Sequence, residues 1–398
     1  TDPPAITTIE DKKNDGIYTS FDFRSIIDEV SSFEMNASFN RQKSRLHLTA
    51  CGPQAFSIPE GFDLYLIDQD LAFNSILNIP VSEEPVGEEA IIAENINNYY
   101  TTYGTDLYSF LCIASNSDTT SERSDIETQY NISNGPLDVA LGAATTVIRV
   151  DSQAYFSGIN EQESYRIFAQ SSYSGETMTL NSGALVQKSS NIDEAVLSWR
   201  TGVNWHVKNN QMIRFLVSSN YRIPSLMETD RFWTLSGPLV DQSQSFAWGA
   251  KSSRIYISSM GNHELEPEKI YSRSIGYYTS TDDITFDIKL FYDEIHNPVL
   301  DELRFIHGAK NPVNGDSFTL KGAETEIKLN LSSSLSVHIN YSYLDNNSTS
   351  YAETSLHSRH AGSFAATYEY SPQHNYTFIY VGNDTISGFT YDRFDLIW

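Results

Sequence analysis

Apolar and polar residues alternate along extended stretches of this chain, and that period of two constrains the fold more than any other feature. Between Phe33 and Asn40 the apolar side chains take the odd positions and the polar ones the even positions. The pattern returns at Leu197–Lys208, Ile284–Asp293 and Leu335–Tyr343. A period of two places successive side chains on opposite faces of a β-strand. The sequence therefore predicts many strands with one apolar and one polar face.

Strand length and connection length narrow the fold class. The alternating segments run for about 9–11 residues, the length at which tilted strands cross a bilayer, whereas globular strands average about 5–6. Short links with turn residues, such as Ser133–Pro136 and Lys208–Gln211, alternate with long links such as 223–269. We predict an all-β fold, an antiparallel up-and-down transmembrane β-barrel with about 17–18 strands in this chain. About thirteen of these strands follow residue 122.

Composition excludes several classes of protein. The chain has 398 residues with 26 Lys+Arg and 51 Asp+Glu, a formal charge of −25. Without a basic cluster it does not neutralise phosphates, so no nucleic-acid partner is expected. No run of about 18 apolar residues is present, which excludes membrane-spanning helices. Because 13% of residues are aromatic, the chain is expected to fold, unlike disordered acidic chains.

The N-terminal part of the chain is less regular. Ile17–Ile26, Ser32–Asn40 and Thr105–Ser115 are predicted strands, and Arg45–Ala50 either continues the second of them or forms its own. Residues 52–100 are predicted as an irregular, acidic extracellular loop or insertion, within which Glu88–Tyr99 has the features of a short helix. Nothing in the sequence requires a second domain.

Two segments resemble TonB-dependent outer-membrane receptors. Leu197–Glu228 ends in YRIPSLME, similar to the family's aromatic-Arg-x-Pro-Ser-Leu-x-Glu start of a long loop, and Gly261–Tyr278 is similar to the end of that loop. The resemblance covers about residues 122–398. It implies an outer-membrane barrel of roughly 22 strands, of which residues 1–398 are an incomplete part, and an N-terminal plug domain that is not identified here. It also implies structural roles at the loop ends for Arg222, Pro224, Glu228, Asn262, Pro267 and Glu268.

No catalytic constellation stands out. G-x-S-x-G, H-E-x-x-H and P-loop motifs are absent, so we predict no enzymatic activity, no cofactor and no metal site. His357 and His360 are interpreted as residues of a solvated loop. Cys51, near a predicted loop, and Cys112, toward the end of a predicted strand, form either one disulfide or two free thiols.

The 223–269 loop is the candidate for ligand capture because it combines aromatic and arginine side chains. Such side chains are the usual energetic centres of binding surfaces. The alternative is that they pack the loop against its neighbours. The predicted ligand-contacting residues are Arg231, Phe232, Trp233, Phe246, Trp248, Arg254 and Tyr256.

Three functions follow from these observations. The first is a receptor of the bacterial outer membrane that binds a scarce nutrient (a siderophore, metal chelate, vitamin or glycan) at its extracellular loops. Its partners would be outer-membrane lipid, that small-molecule or glycan ligand, and the TonB complex where a plug exists. The second is a plugless barrel that acts as a passive pore or as a structural subunit beside other envelope proteins. The third is a secreted soluble β-protein acting as an adhesin.

Overall fold

The computed structural model describes residues 5–9, 12–80, 85–300, 311–386 and 388–398. Most of this chain is β-structure, and the described strands are β1 (Ala5–Ile9), β2 (Lys13–Ile26), β3 (Ser31–Arg45), β4 (His47–Pro53), β5 (Phe110–Asn116), β6 (Thr119–Asn134), β7 (Leu137–Ser152), β8 (Gly158–Ser174), β9 (Met178–Ser189), β10 (Val196–Lys208), β11 (Gln211–Arg222), β12 (Phe232–Pro238), β13 (Ser252–Met260), β14 (Glu268–Ser280), β15 (Ile284–His296), β16 (Val299–Leu300), β17 (Val313–Asn314), β18 (Phe318–Ser332), β19 (Leu335–Asn346), β20 (His360–Ser371), β21 (His374–Ile386) and β22 (Phe389–Ile397). The helices are α1 (Pro59–Ile67), α2 (Gln69–Ile76), α3 (Glu88–Tyr103), α4 (Leu226–Thr229) and α5 (Tyr351–Ser355), with 3₁₀ turns at Gln54–Ser57 and Gly104–Tyr108.

One sheet of fifteen strands dominates the fold. Its order is β2-β3-β6-β7-β8-β9-β10-β11-β14-β15-β18-β19-β20-β21-β22, and neighbouring strands pair antiparallel. The predicted all-β, up-and-down antiparallel fold is confirmed. Thirteen of the fifteen strands follow β3, as the alternation predicts. The total of 22 described strands exceeds the predicted 17–18, because seven lie outside this sheet and some are too short to show a period of two.

The two faces of the large sheet differ in chemistry. On β15, Ile288 and Leu290 lie on one face, whereas Asp287 and Lys289 lie on the other. Cross-strand registers carry the same division through the sheet, so that Leu290 pairs with Ile275 of β14. Leu290 is 49% and Ile275 44% exposed. An apolar face that is open to its surroundings is typical of strands in lipid. We call it the outward face, and the opposite one the polar face.

Connections at the two ends of the large sheet differ in length. At one end, the turn end, strands are joined by a few residues, for example between β6 and β7, where Gly135 has φ +59°. That positive φ suits glycine, which lacks a β-carbon. At the other end the links between strands are longer, except between β21 and β22: 46–118, 153–157, 190–195, 223–267, 297–317 and 347–359. We call this the long-connection end.

The prediction that residues 52–100 are irregular is wrong, because much of this segment is helical. Pro59 begins α1, and the side chain of Asp68 caps α2 by accepting from the Leu71 amide at 2.9 Å. Proline and aspartate are favoured at these positions, since the first helical N–H groups have no partner within the helix. The helix predicted at Glu88–Tyr99 is present as α3 (Glu88–Tyr103), whereas α1 and α2 escape sequence analysis because they are short. No described helix combines the length and apolarity needed to cross a membrane.

Two further N-terminal expectations are resolved by the strand bounds. Arg45–Ala50 does not continue the preceding strand, because β3 ends at Arg45 and β4 begins at His47 in a different sheet. The strand predicted at Thr105–Ser115 starts later, since Gly104–Tyr108 is a 3₁₀ turn and β5 begins at Phe110. A small sheet, β1-β4-β5, results.

Candidate functional site

The two longest connections fold into one body at the long-connection end. Residues 46–118 and 224–265, here called the cap, pack together through Leu111 and Ile113 of β5 and through Leu235 and Leu239 of the second segment. The amide of Val240 donates to the carbonyl of Cys112 at 2.9 Å, and Ile113 forms a bridge with Leu239. Segments more than a hundred residues apart in the chain therefore share one hydrophobic core.

A disulfide joins the two central strands of the cap. Cys51 of β4 lies directly opposite Cys112 of β5, with their Cα atoms 4.0 Å apart, and the two are bonded. Cys51 thus lies in a strand, whereas the sequence places it near a loop. A disulfide is typical of proteins in oxidising compartments such as the bacterial envelope.

A second core of the cap consists of its helices. Ile58, Leu64, Ile96 and Leu107 are fully buried in it. Burial, and after it the neighbouring Glu60 carboxylate, raises the pKa of Tyr99 to about 12. Burial also raises the pKa of Tyr100, which donates its hydroxyl to the carbonyl of Ile76. The helices are thereby fixed to one another by apolar packing and by a phenol that stays neutral.

Three of the predicted ligand-contacting aromatics pack against other rings of the cap, and one of them is almost fully buried. Phe246 is 2% exposed and stacks on Trp248 at a centroid distance of 4.9 Å. Trp248 in turn meets Tyr99 edge to face at 5.5 Å. Phe232 meets Phe62 edge to face at 5.6 Å. These rings connect the 224–265 segment to the helices, which matches the packing alternative stated from the sequence.

The predicted arginines and remaining aromatics are divided between interior and surface. Arg254 lies over the ring of Phe62 at 4.1 Å, a cation–π geometry, and is partly exposed. Arg231 is only 4% exposed. Trp233 is half-buried beside Tyr155, with ring centroids 5.8 Å apart. The side chain of Tyr256 lies outside the described residues.

Charged residues at the start and end of the 223–267 link form one network. Arg222 donates from Nη1 to both oxygens of Glu228 at 3.0 Å and from Nη2 to Glu268 at 2.8 Å. Glu228 also accepts from the amide of Ser225 at 2.7 Å, which completes a capping box on α4. A bidentate arginine contact fixes two strand ends firmly, because both geometry and charge are matched.

Backbone contacts complete the same junction. The Pro224 carbonyl accepts from Nε2 of Gln162 at 3.2 Å, and the amide of Asn262 donates to the Glu228 carbonyl at 2.9 Å. Asn262 also donates from Nδ2 to the Pro312 carbonyl at 3.0 Å. Pro267 immediately precedes β14. All six residues that the resemblance assigns to the loop ends thus lie around one junction between the cap and the large sheet.

The polar face of the large sheet carries ion pairs that sequence analysis missed. Arg214 of β11 reaches across β14 to pair with Asp287 of β15. It passes over Gly276, where a β-carbon would lie 3.0 Å from Nη2 of Arg214. Lys289 pairs with Glu324 at 3.0 Å. A cavity of about 630 Å³ opens beside these charges.

Arg200 of β10 is a polar-face cation that differs from this pattern. It lies opposite Gly183 and Ser218 and lines three further cavities of about 480, 400 and 250 Å³. Within the described part of the chain no carboxylate pairs with it. The alternation of residues along β10 could have identified Arg200 from the sequence. The apolar residues of this strand have odd numbers, so an arginine with an even number lies on the polar face.

The described residues hold no group of three or more His, Cys, Asp and Glu arranged for a metal ion. His360 shares a hydrogen bond of 2.7 Å between its Nδ1 and the Tyr341 hydroxyl. In the described residues, the polar groups of the candidate site are mainly paired charges and neutral amides.

The structure combines an antiparallel sheet, an outward face suited to lipid, an opposite polar face and a folded cap at one end. These features define the class of outer-membrane receptor barrels. The family model described as "TonB dependent receptor-like, beta-barrel" matches residues 14–396. The chain therefore belongs to the TonB-dependent receptor family, through its β-barrel domain. That family consists of outer-membrane receptors and not of enzymes.

Solved structures share the fold. The siderophore receptor PirA from Pseudomonas aeruginosa has 10% identity and a TM-score of 0.58, with 97% of this chain and 64% of that receptor covered. The ferric-catecholate import receptor Fiu from E. coli K12 has 10% identity and a TM-score of 0.57, covering 94% and 54%. A mutant of the ferric enterobactin receptor PfeA from P. aeruginosa has 12% identity and a TM-score of 0.56, covering 94% and 57%. The chain thus spans 54–64% of these receptors. No curated protein matches it.

Proposed function

We propose that this chain is the barrel portion of an outer-membrane receptor that binds a scarce nutrient at the cap and admits it along the polar face. The observation that carries the proposal is the cap itself, a folded body with two cores built from the two longest connections. A passive pore has no need of such a structure across its long-connection end. Family membership supports the same function, since receptors of this family bind small molecules and interact with TonB.

The polar face suggests what kind of ligand is admitted. Its cavities of about 630 and 480 Å³ are lined mainly by charged, amide and hydroxyl side chains, whereas those of about 400 and 250 Å³ also have apolar side chains such as Leu216 and Phe168. Small-molecule sites fall in a similar range of about 300–1,000 Å³. A hydrophilic solute such as a siderophore, metal chelate, vitamin or glycan fits this lining better than an apolar one. Siderophores are the first class to test, because PirA, Fiu and PfeA are siderophore receptors.

Some of the predicted residues remain candidates for ligand contact, whereas others are assigned a structural role in the cap. Trp233, Trp248 and Arg254 keep part of their surface and are proposed to contact ligand. Phe246 and Arg231 are proposed to hold the cap together instead, because they are almost fully buried. A ligand that has passed the cap meets the polar face.

Uptake of radiolabelled iron tests the proposal. The full-length receptor is expressed in cells that lack other siderophore receptors, and ferric enterobactin, a neutral ferric trihydroxamate and cobalamin are supplied in turn. We expect TonB-dependent uptake of at least one probe. The buried change Phe246→Ala should abolish uptake through loss of the cap, whereas the exposed change Val240→Ala serves as its control.

The alternatives predict different outcomes of the same experiment. Equal, unsaturable entry of all probes with and without TonB would identify a passive pore. No entry, with co-purification of envelope proteins, would favour a structural subunit. A monodisperse protein in buffer without detergent would contradict both membrane functions and favour a soluble adhesin.

A further inference from the structure

The polar-face cavity of about 480 Å³ has two opposite charges in its lining that do not pair with each other or with a neighbour. Arg24 and Glu34, which also line it, form an ion pair at 3.3 Å and neutralise each other. Among the described residues, neither Asp138 of β7 nor Arg200 of β10 forms an ion pair or a side-chain hydrogen bond. The cavity is therefore neutral in total but carries one separate negative and one separate positive charge. We call it the dipolar pocket.

The strand registers fix the positions of these two charges. Asp138 pairs with Ser172 of β8, and Ser172 pairs with Asn181 of β9. Asn181 in turn pairs with Gly202 of β10, so these four residues form one row across the polar face. Arg200 thus lies three strands across and two residues along from Asp138. Strand spacings of about 4.8 Å and a rise of about 3.4 Å per residue place the two Cα atoms about 16 Å apart.

Amide side chains lie between the two charges. Asn181 lies in the row of Asp138. Gln170 lies in the row of Arg200, with Gly183 between them. Both amides line the dipolar pocket, and neither makes a side-chain hydrogen bond within the described part of the chain. Each can donate and accept, so the wall between the charges offers both kinds of hydrogen bond to a ligand.

We propose that the dipolar pocket binds a short peptide, with the ammonium group of the peptide on Asp138 and its carboxylate on Arg200. A peptide has opposite charges at its two ends and amide groups between them, which is also the order of the groups along the pocket. Arginine matches both oxygens of a carboxylate with its planar donors. A tripeptide spans about 10 Å, and the two charged side chains cover the remaining distance. This inference rests on the proposed function, for which it names the class of ligand.

The same two charges discriminate against other solutes. A solute with only negative groups would bring a like charge to Asp138, and one with only positive groups would bring a like charge to Arg200. An apolar solute would remove water from both charges without replacing its hydrogen bonds. A zwitterion with internal amides is therefore the class of solute that satisfies both ends of the dipolar pocket.

Binding of radiolabelled trialanine to the full-length receptor in detergent tests this inference. Two unlabelled competitors separate the ends of the peptide, because trialanine amide lacks the carboxylate and N-acetyl-trialanine lacks the ammonium group. R200Q should weaken trialanine by about five- to tenfold without weakening trialanine amide. D138N should weaken trialanine by a similar factor without weakening N-acetyl-trialanine. These factors are at the low end for hydrogen bonds between charged groups, because the pocket is open to water.

The matched control is R393Q/D395N, which removes one cation and one carboxylate from the polar face of β22. Arg393 and Asp395 pair with each other at 2.8 Å and do not line the dipolar pocket. This variant should bind trialanine as the wild type does. Heat-modifiable migration on gels verifies that each variant is folded.

Three results would overturn the inference. The first is an absence of saturable trialanine binding, since another part of the receptor, such as a plug domain, would then occupy the pocket. The second is trialanine binding that neither R200Q nor D138N weakens. The third is an equal loss of all three peptides in R200Q, which would give Arg200 a structural role only. Uptake of a ferric probe without peptide binding would contradict only this inference, whereas peptide binding without any nutrient uptake would contradict only the proposed function.

Discussion

Removal of the Cys51–Cys112 disulfide should unfold the cap locally while the large sheet stays folded. The bond closes a segment with a sequence separation of 61. Chain-entropy arguments assign about 4 kcal/mol to a loop of that length in a free chain. In this protein the ends of the 46–118 connection are already held together, because Ser44 of β3 pairs with Thr119 of β6. The unfolded connection has therefore lost part of its conformational entropy even without the bond. We expect the disulfide to stabilise the cap by about 2–4 kcal/mol.

Hydrogen exchange measures this loss directly. Each 1.4 kcal/mol is a factor of ten in an equilibrium constant, so amides of β4 and β5 should exchange about 30- to 700-fold faster in C51A/C112A. Amides of β15 and β18 should not change, because their ladder does not contact the disulfide. Treatment of the wild type with a reductant should reproduce the variant, and the same treatment of C51A/C112A should have no effect.

Two results would refute this reasoning. Unchanged exchange in β4 and β5 would show that the two cap cores suffice without the covalent bond. Equal acceleration throughout the large sheet would show that the cap and the sheet unfold as one unit.

Three other predictions concern a close contact, a cap strand and a titration. Gly276→Val should displace Arg214 and weaken its pair with Asp287, lowering the melting temperature by a few degrees without loss of folding, as circular dichroism would record. Gly237→Ala should lower the stability of the cap by several kcal/mol, because a β-carbon would lie 1.8 Å from the Ala114 carbonyl oxygen. Limited proteolysis should then cleave the cap of the variant, and a cap as resistant as that of the wild type would contradict the prediction. Burial raises the pKa of Tyr99 to about 12, so its contribution to cap stability should be complete below pH 10 and should be lost as the pH rises to 12. Denaturation followed by tryptophan fluorescence between pH 8 and 12 would test this.

The large sheet could be predicted from the sequence because its signal is local. Alternation such as Phe33–Asn40 assigns each side chain to a face without knowledge of any partner strand. Turn residues then order the strands, since an up-and-down sheet pairs neighbours in sequence. The same parity assigns Arg200 to the polar face, although its lack of a carboxylate partner emerges only from the cross-strand register.

The cap could not be predicted because its contacts are distant in sequence. The Ala247 amide donates to Oε1 of Gln54 at 2.7 Å across 193 residues. Ser253 donates to the carbonyl of Ser57 at 2.9 Å across 196 residues. The sequence also gave no sign that Phe232 and Trp248 of the 223–269 link pack against rings of helices encoded in another part of the chain. The pattern of apolar residues within one segment does not predict its contacts with the other segment.

The cap is attached to the large sheet at two separate places, between β3 and β6 and between β11 and β14. Five strand-to-strand steps separate β6 from β11, about 24 Å along the wall. Barrel walls usually take their curvature from strand tilt and register alone. Here a packed body also connects two places on the wall. A movement that changes the distance between these two places must deform the cap, so we expect that distance and the integrity of the cap to be linked.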